Sequence, residues 1–405
     1  MIFTSFSIGG IRIKNRFIKS ALVDFPGELN GYCSESYIRY LEKLARGEVG
    51  LICTAPASIQ SDFRANHYQL SISSQKAADS YRDLIEKVHY YNAKIFLYPE
   101  YSNEVLIKFL ISIVEPSHHA RAFENMRTWV TSSLKRDEIM EIIDLYKKAA
   151  IRAKQAGFDG ILLNATFGTF LHTMSSSALN NRSDEWGGDL TGRMRIFKEI
   201  IYNCKTLDFP VMVRWNVKDY NPDGRDIKES IKACQLLQSY GADALELSAF
   251  SSVESTIALN KDIEQRKFLP FIEGNDLVDY YRIMHPFIRN SFFVDRKDEI
   301  KLPMEYAWGH AYYNVWPIKK SLDIPVSLLG GVRTLESAKK IITSGTSDFV
   351  SLMQTLVYDP QQCRKFKEDI SCYSGCISCN CCMNQMFLSL KDPSRPYLHH
   401  CLIKG

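Results

Sequence analysis

Residues 156–164 read AGFDGILLN, and the same arrangement returns as YGADALELS at 240–248 and SGTSDFVSL at 344–352. In each copy a glycine ends a helical pattern, an aspartate follows, and an apolar run comes next. Glycine at this point predicts a left-handed helix C-cap, and the apolar run predicts a strand buried on both faces. The repeated joint therefore indicates a chain that alternates helices with parallel strands.

Further apolar runs extend this pattern along the chain. The predicted strands are 16–23, 49–55, 94–98, 159–164, 211–216, 243–248, 324–329 and 348–352, and helical patterns lie at 34–46, 77–91, 136–155, 191–205, 227–240 and 334–343. Eight such strands with helices between them are typical of a (β/α)8 TIM barrel, an α/β fold. We therefore predict a barrel over residues 1–360 and a Cys-rich C-terminal extension over 361–405.

The third and sixth strand-helix units are longer than the others, with extra residues at 99–134 and 249–303. Both segments leave the carboxyl ends of strands, where barrels place their active sites. We expect them to shape or cover the site. The alternative is that they form decorative or oligomer-forming loops.

The composition argues against several classes of protein. Of the 405 residues 45% are hydrophobic, and 50 basic against 46 acidic residues give a net charge of +4. Such a weak charge, with no basic run carrying aromatic residues, predicts no nucleic-acid binding and no membrane-surface binding. The first residues do not have the pattern of a signal peptide, and no segment is apolar enough to span a membrane. We expect a cytoplasmic protein whose partners are small molecules or proteins.

Four short motifs occur in order along the predicted barrel. They are KNRFIKSA at 14–21, RGEVGLI at 46–52, NNRSDEWGG at 180–188 with Arg193, and GGVR at 330–333. Together they resemble the Old Yellow Enzyme or NADH:flavin oxidoreductase family, including the barrel domains of dienoyl-CoA reductase and trimethylamine dehydrogenase. The resemblance implies an FMN-dependent oxidoreductase for a small or steroid-like organic substrate, reduced by NAD(P)H or by an electron-transfer protein.

The resemblance also implies which residues contact FMN. The implied set is Ala21, Leu22, Val23, Ala55, Tyr98, Arg214, Gly330, Gly331, Met353 and Gln354. Two of them depart from the family pattern, since Tyr98 replaces a glutamine that pairs with the flavin pyrimidine edge and Gln354 replaces a phosphate-binding arginine. Loss of that arginine removes a charge-assisted contact worth about 1.5–3 kcal/mol.

Physical chemistry gives separate reasons for three of these positions. Gly330 and Gly331 allow backbone N–H groups to approach an anion closely, and the alternative is a tight turn without a ligand. Arg214 is a charge inside an apolar strand, so it needs an anionic or acceptor partner. By resemblance Arg214 lies beside the flavin N1/O2 edge, and the alternative is an ion pair with Glu246 on the neighbouring strand.

The segment after the fourth predicted strand departs most from the family. Asn164, Phe167 and Thr169 stand where the resemblance implies a histidine, a second histidine or asparagine, and a proton-donating tyrosine. Asn164 keeps one donor for a substrate carbonyl, Phe167 has none, and the Thr169 hydroxyl is far less acidic than a phenol. Asn164 and Thr169 are the candidate catalytic residues. His172 would donate a proton only if its loop folds inward.

These replacements leave three hypotheses open. The chain is an ordinary flavin reductase, or its chemistry has changed, for instance to a dehydrogenation that needs no carbonyl clamp. In the third hypothesis it is a catalytically degenerate relative that serves as a flavin-binding or complex-forming subunit.

Seven of the 11 cysteines lie within residues 363–405. Cys376, Cys379 and Cys382 form a C-x2-C-x2-C pattern, with Cys401 as a candidate fourth thiolate. This set suits a [4Fe-4S] cluster, and it resembles the cluster segment of trimethylamine dehydrogenase. Zinc would accept the same ligands, and a segment without metal is the remaining alternative.

Overall fold

The computed structural model describes residues 1–112, 116–217, 219, 224–248, 315–369, 372–376, 382, 389–394, 396–398 and 400–401. Within these ranges no helix is both long enough and apolar enough to cross a membrane. The insertion predicted at 249–303 lies outside the described residues.

Eight parallel strands close into a barrel. In chain order the strands of the described residues are β1 (Phe6–Ile8), β2 (Ile11–Ile13), β3 (Phe17–Lys19), β4 (Leu51–Ser58), β5 (Leu70–Ser71), β6 (Lys94–Glu100), β7 (Gly160–Ala165), β8 (Val211–Asn216), β9 (Ala244–Ser248), β10 (Val326–Leu329) and β11 (Phe349–Leu352). The barrel strands are β3, β4 and β6 to β11, while β1 and β2 form a separate hairpin and β5 pairs only with β4. The sheet runs β3-β11-β10-β9-β8-β7-β6-β4, and β3 also pairs with β4, which closes it. The eight predicted strands and the (β/α)8 fold are confirmed.

Helices surround this sheet. They are α1 (Glu35–Arg46), α2 (Gln75–Asp79), α3 (Arg82–Tyr90), α4 (Glu104–Ser112), α5 (Pro116–Thr128), a π-helical turn (Trp129–Ser133), α6 (Arg136–Ala156), α7 (Phe170–Ser175), α8 (Leu190–Lys205), α9 (Ile227–Ser239), α10 (Trp316–Lys319), α11 (Leu335–Thr343), α12 (Gln354–Tyr358) and α13 (Gln362–Glu368). Serine, threonine or aspartate side chains cap the first turns of α1, α8, α9 and α11.

One helix prediction is wrong. The segment 77–91 was expected to be continuous, but it belongs to two helices, α2 and α3, that meet at Ser80 and Tyr81. Ser80 donates its hydroxyl proton to the Ala77 carbonyl at 2.7 Å and accepts the Cys33 backbone N–H at 3.0 Å. A serine hydroxyl that binds nearby backbone groups competes with helix continuation.

The repeated joint has the predicted backbone conformation at all three places. Gly157, Gly241 and Gly345 have φ angles of +103°, +99° and +71°. Only glycine adopts this region without a steric cost, so the helix ends there and the chain turns into the next strand.

The aspartate of each joint joins two neighbouring strands at their amino ends. The carboxylates of Asp159, Asp243 and Asp348 accept the backbone N–H groups of Ile95, Val211 and Val326 at 2.9, 2.8 and 2.9 Å. Each carboxylate also binds a lysine, namely Lys94, Lys205 and Lys319, at 2.9, 2.9 and 2.8 Å. The joint thus fixes strand register as well as ending the helix.

A hairpin that the sequence analysis did not predict fills the amino end of the barrel. Strands β1 and β2 pair antiparallel, and Gly9 and Gly10 form the turn with φ angles of +53° and +79°. Ile8 and Ile13 pack inside the barrel with Phe349. Two strands of three residues are too short to show a periodic pattern, which is why the sequence did not reveal them.

The insertion at 99–134 lies against the loop that follows β7. The rings of Tyr101 and Trp129 are 4.9 and 6.2 Å from the ring of Phe170. Arg182 binds the carbonyls of Val130 and Leu134 at 2.7 and 2.6 Å. This insertion therefore borders the carboxyl end of the barrel, as expected for a segment that shapes the site.

The C-terminal extension is packed on the barrel in two places. The ring of Phe366 in α13 lies 6.1 Å from that of Phe17, and Tyr397 forms a bridge with Phe25. The proposed boundary between 360 and 361 stays a prediction, with the first helix of the extension in contact with the barrel.

The joint gives the first testable prediction. We expect Asp243→Asn to lower the free energy of unfolding by about 2 kcal/mol, because it weakens a charge-assisted contact to Lys205 and to the Val211 N–H. Asp144→Asn is the control, because Asp144 forms an exposed pair with Lys148 and should cost less than about 0.5 kcal/mol. Urea denaturation measures both. Equal losses in the two variants would contradict the assigned role of the joint.

Candidate active site

The carboxyl ends of the strands bring the predicted site residues to one rim of the barrel. Ala21 follows β3, Ala55 lies in β4, and Tyr98, Asn164 and Arg214 lie in β6, β7 and β8. All five are buried, whereas Val23 is partly exposed. Because parallel strands end at the same edge, residues far apart in sequence meet here.

A buried ion pair lies at the centre of this rim. Arg214 Nε is 2.5 Å from Glu246 Oε2, and Nη2 donates to Ser20 Oγ and to the Ala21 carbonyl, the latter at 3.0 Å. Ser20 in turn donates to Glu246 Oε2 at 2.9 Å. The ion pair that the sequence analysis kept as an alternative is therefore present, and contact of Arg214 with FMN stays a prediction.

Glu246 keeps one unused acceptor. Its Oε1 atom is buried and has no hydrogen-bond partner among the residues that the structure describes. A buried carboxylate oxygen without a donor is costly, so this atom is a candidate for a contact with a bound group.

Tyr98 and Asn164 contact each other. Asn164 Nδ2 donates to the Tyr98 hydroxyl at 2.8 Å, and that hydroxyl donates to Glu100 Oε1 at 2.8 Å. Burial raises the pKa of Glu100 to about 7, although the Tyr98 hydrogen bond acts in the opposite direction. Sequence reasoning missed Glu100. Its signal was a polar residue two positions after Tyr98, which places both on one face of a strand.

The loop after β7 is held by internal hydrogen bonds. Thr169 donates its hydroxyl proton to the carbonyls of Asn164 and Thr166, at 2.8 and 2.9 Å. Phe167 has a φ of +56°, an uncommon angle for a residue other than glycine. Thr169 therefore fixes the end of β7, and Phe167 is placed by a turn that the fold imposes.

His172 is buried between two loops at the carboxyl end of the barrel. Its Nδ1 accepts the Gly168 backbone N–H at 3.2 Å, so Nε2 carries the proton toward Asp219 Oδ1, also at 3.2 Å. Burial alone would raise the pKa of Asp219, but the charge of Arg225 and the hydrogen bond from His172 lower it overall. With both ring nitrogens occupied, His172 joins the loops that follow β7 and β8.

The turn after β10 has the features of an anion cradle. Gly330 and Gly331 have φ angles of +113° and +77°, a region that favours glycine. Because glycine has no side chain, the turn carries no Cβ atoms at these two positions. Both glycines are partly exposed although every residue of β10 is buried, and Met353 and Gln354 beside them are partly exposed as well. A turn without side chains can bind an anion through its backbone N–H groups, and contact of this turn with the FMN phosphate stays a prediction.

The cysteine segment contacts the same rim. Cys382 packs with Leu22, Val357 and Met353. The Cys376 carbonyl accepts from Arg333 Nη1 at 2.9 Å, and Cys401 is partly exposed. Cys379 lies outside the described residues, and among those that are described no three metal-ligating side chains come together.

The buried ion pair gives the second prediction. Glu246→Gln leaves the Arg214 charge without its counter-ion, so we expect a loss of about 3–5 kcal/mol in the free energy of unfolding. The double variant Arg214→Met with Glu246→Leu removes both charges and should recover most of that loss. Thermal and urea denaturation give both values. A double variant as unstable as the single one would show that charge pairing is not the cause.

The chain is similar in sequence to known flavin oxidoreductases. A model of the family described as NADH:flavin oxidoreductase / NADH oxidase matches residues 1–307. NADH oxidase of Thermoanaerobacter brockii is 27% identical over 390 residues, which cover 93% of this chain and 53% of that protein. Cinnamate reductase of Clostridium sporogenes is 26% identical over 413 residues, covering 93% of this chain and 55% of that protein.

The fold has a solved counterpart. The structure of a 2-naphthoyl-CoA reductase in complex with 2-naphthoyl-CoA superposes with a TM-score of 0.68 at 17% identity, over 97% of this chain and 56% of that chain. The chain spans about half the length of each of these three proteins. The family model covers more than half of the chain, and the barrel matches. The chain belongs to the NADH:flavin oxidoreductase / NADH oxidase family.

Proposed function

We propose that the barrel is an FMN-dependent oxidoreductase that acts on a small organic substrate and takes electrons from a reduced nicotinamide. The observation that carries the proposal is the side-chain-free turn at Gly330 and Gly331, open at the same rim as the buried polar residues of a flavin-family barrel. FMN, when bound, would accept and deliver hydride.

The residues that would hold FMN come from six strands or the turns that follow them. Ala21, Leu22, Val23 and Ala55 would contact the ring, with Tyr98 and Arg214 at its polar edges, and Gly330, Gly331, Met353 and Gln354 would enclose the phosphate. The Glu246 carboxylate offsets the positive charge of Arg214, so the cationic field at this edge is weaker than that of an unpaired arginine.

Asn164 would be the polar contact for the substrate. It is held by Tyr98 on one side and accepts from Thr166 Oγ1 at 2.7 Å on the other, so its amide is pre-oriented. Thr169 would position Asn164 through the carbonyl bond described above.

The relatives favour an active enzyme over a degenerate subunit. Both sequence relatives are named for oxidoreductase activities, NADH oxidase and cinnamate reductase. The second name supports an unsaturated carbonyl compound as the substrate class. An alkene made electrophilic by a hydrogen-bonded carbonyl would accept hydride, and one amide donor at Asn164 would serve that carbonyl.

Absorbance of the purified protein tests the proposal. We expect flavin bands in the visible spectrum and their bleaching by NADH or NADPH without oxygen. If the protein shows no bands, and added FMN neither binds nor raises the melting temperature, the flavoenzyme proposal is wrong. Bleaching without turnover of any unsaturated carbonyl would leave the flavin and reject the substrate class.

The third prediction distinguishes a loss of FMN affinity at the Gly330–Gly331 turn from the backbone strain that any alanine at a left-handed glycine causes. Alanine at a left-handed glycine costs about 1–2 kcal/mol wherever it stands. Gly331→Ala should in addition raise the Kd for FMN by about tenfold or more, since a methyl group enters the cradle. Gly345→Ala is the matched control, because Gly345 has a similar φ of +71° in the joint before β11. An equal effect of the two variants on FMN affinity would exclude a cradle at Gly331.

We further propose that Cys376, Cys379, Cys382 and Cys401 ligate a [4Fe-4S] cluster. Support comes from the packing of Cys382 on Leu22 and Met353, which are in the proposed flavin set. A cluster held next to these residues would pass single electrons to a bound flavin. The thiols of Cys33, Cys53, Cys204 and Cys234 are consistent with a reducing compartment, and we propose a cytoplasmic location.

The fourth prediction concerns iron. Protein purified without oxygen should contain about four irons per chain, as a four-cysteine cubane requires. Cys379→Ser should remove them, whereas Cys33→Ser, far from the pattern in sequence, should keep them. Chemical iron analysis gives the count. A full complement of flavin with no iron, or with zinc in its place, would reject the cluster and leave the barrel assignment unchanged.

A further inference from the structure

A chain of hydrogen bonds crosses from β6 to β7 at the rim of the barrel. Thr166 Oγ1 donates to Asn164 Oδ1 at 2.7 Å, Asn164 Nδ2 donates to the Tyr98 hydroxyl at 2.8 Å, and that hydroxyl donates to Glu100 Oε1 at 2.8 Å. All of these side chains are buried, and Glu100, at 9% exposure, is the most accessible of them. The chain therefore ends at a carboxyl group that is less deeply buried than the other three side chains.

The direction of these bonds follows from the charge of Glu100. An ionised carboxylate only accepts, so the single hydroxyl proton of Tyr98 is committed to it. The Tyr98 oxygen is then left as an acceptor, and Asn164 must turn its NH2 group toward Tyr98 and its Oδ1 toward Thr166. Asn164 Nδ2 has no second hydrogen-bond partner among the described residues.

A protonated Glu100 removes this constraint. A carboxylic acid donates as well as accepts, so Tyr98 is released to donate to Asn164. The Asn164 amide then has two orientations of similar energy, because the Thr166 hydroxyl also binds either end. The remaining N–H of Asn164 no longer has one fixed place.

The surroundings of Glu100 make both states accessible near neutral pH. Burial raises its pKa to about 7, and the Tyr98 hydrogen bond opposes this shift. Burial raises the pKa of the Tyr146 phenol in α6 and the charge of Glu100 raises it further, while the charge of Arg214 in β8 acts on Tyr98 in the opposite sense. Within the described part of the chain Glu100 has no salt bridge.

We propose that Glu100 is a positioning residue that sets, through Tyr98, the orientation of the Asn164 amide and thus the donor offered to a substrate. This role rests on the proposed function, in which Asn164 binds the substrate carbonyl. Glu100, two residues after Tyr98 at the family's glutamine position, would then control substrate binding. Carbonyl compounds should bind best when Glu100 is ionised, because the free N–H then has one fixed position.

The fifth prediction is a titration by nuclear magnetic resonance. The full-length protein is labelled with ¹⁵N-asparagine and ¹³C-glutamate, and Asn164→Asp identifies the Asn164 NH2 signals. In the wild-type protein these signals should shift with pH around a midpoint near 7, the same midpoint as the Glu100 carboxyl carbon. In Glu100→Gln they should be independent of pH. In Tyr98→Phe the Glu100 carbon should still titrate while the Asn164 signals do not follow it.

A matched variant controls for general charge effects. Glu104→Gln removes an exposed acid paired with Lys108 on the next element, and it should leave the Asn164 titration unchanged. Two results would overturn the proposal: Asn164 signals that ignore pH while Glu100 titrates in wild type, or signals that titrate equally in Glu100→Gln. The first is read in the wild-type protein once Asn164→Asp has assigned the signals, so a Glu100 or Tyr98 variant that fails to fold does not prevent a decision.

Turnover supplies the functional half of the test, with 2-cyclohexenone as the probe carbonyl. Between pH 8 and pH 6 the wild-type KM should rise about twofold, because two amide orientations of similar energy leave about half of the molecules with the donor in place, and kcat should change less. Glu100→Gln should have a KM that is flat over this range. A protein that binds no flavin or reduces no enone would reject the proposed function, whereas the titration would still decide the coupling between Glu100 and Asn164.

Discussion

Closure of a parallel sheet is the constraint on which this structure depends. Strand β3 has three residues, yet it must pair with β4 on one side and β11 on the other. Once the sheet is closed, helices cover its outer face. The inward-facing side chains pack against one another inside the barrel and are removed from water. Any charge inside must then find its partner within the barrel, as Arg214 does in Glu246.

The interior changes in polarity along the strands. In four neighbouring strands an apolar inward-facing residue is followed, two positions later, by a polar one. The pairs are Phe96 and Tyr98, Leu162 and Asn164, Met212 and Arg214, and Ala244 and Glu246. The apolar layer, closed below by the N-terminal hairpin, supplies the stability. The polar layer faces the carboxyl end, which is where a bound group can complete hydrogen bonds that the protein leaves unmade, such as that of Glu246 Oε1.

Two of the positions that depart from the family pattern are connected to each other. Tyr98 and Asn164 replace two residues that the resemblance assigns to flavin and substrate, and here they share a hydrogen bond that leads to Glu100. A side chain changed alone would leave its neighbour unsatisfied in a buried site. The network therefore fits an active site with altered contacts better than the site of a catalytically degenerate relative.

The sequence by itself determined the eight strands, the three glycine joints and the family, because short-range periodicity and backbone freedom are properties of neighbouring residues. It also identified Arg214 as a charge in need of a partner and named Glu246 as one candidate. The tertiary structure alone decided the network around them. The bond from Ser20 to Glu246 joins residues 226 positions apart, and that from Asn164 to Tyr98 joins residues 66 apart. Such contacts depend on which strands become neighbours when the barrel closes, and no local pattern contains that information.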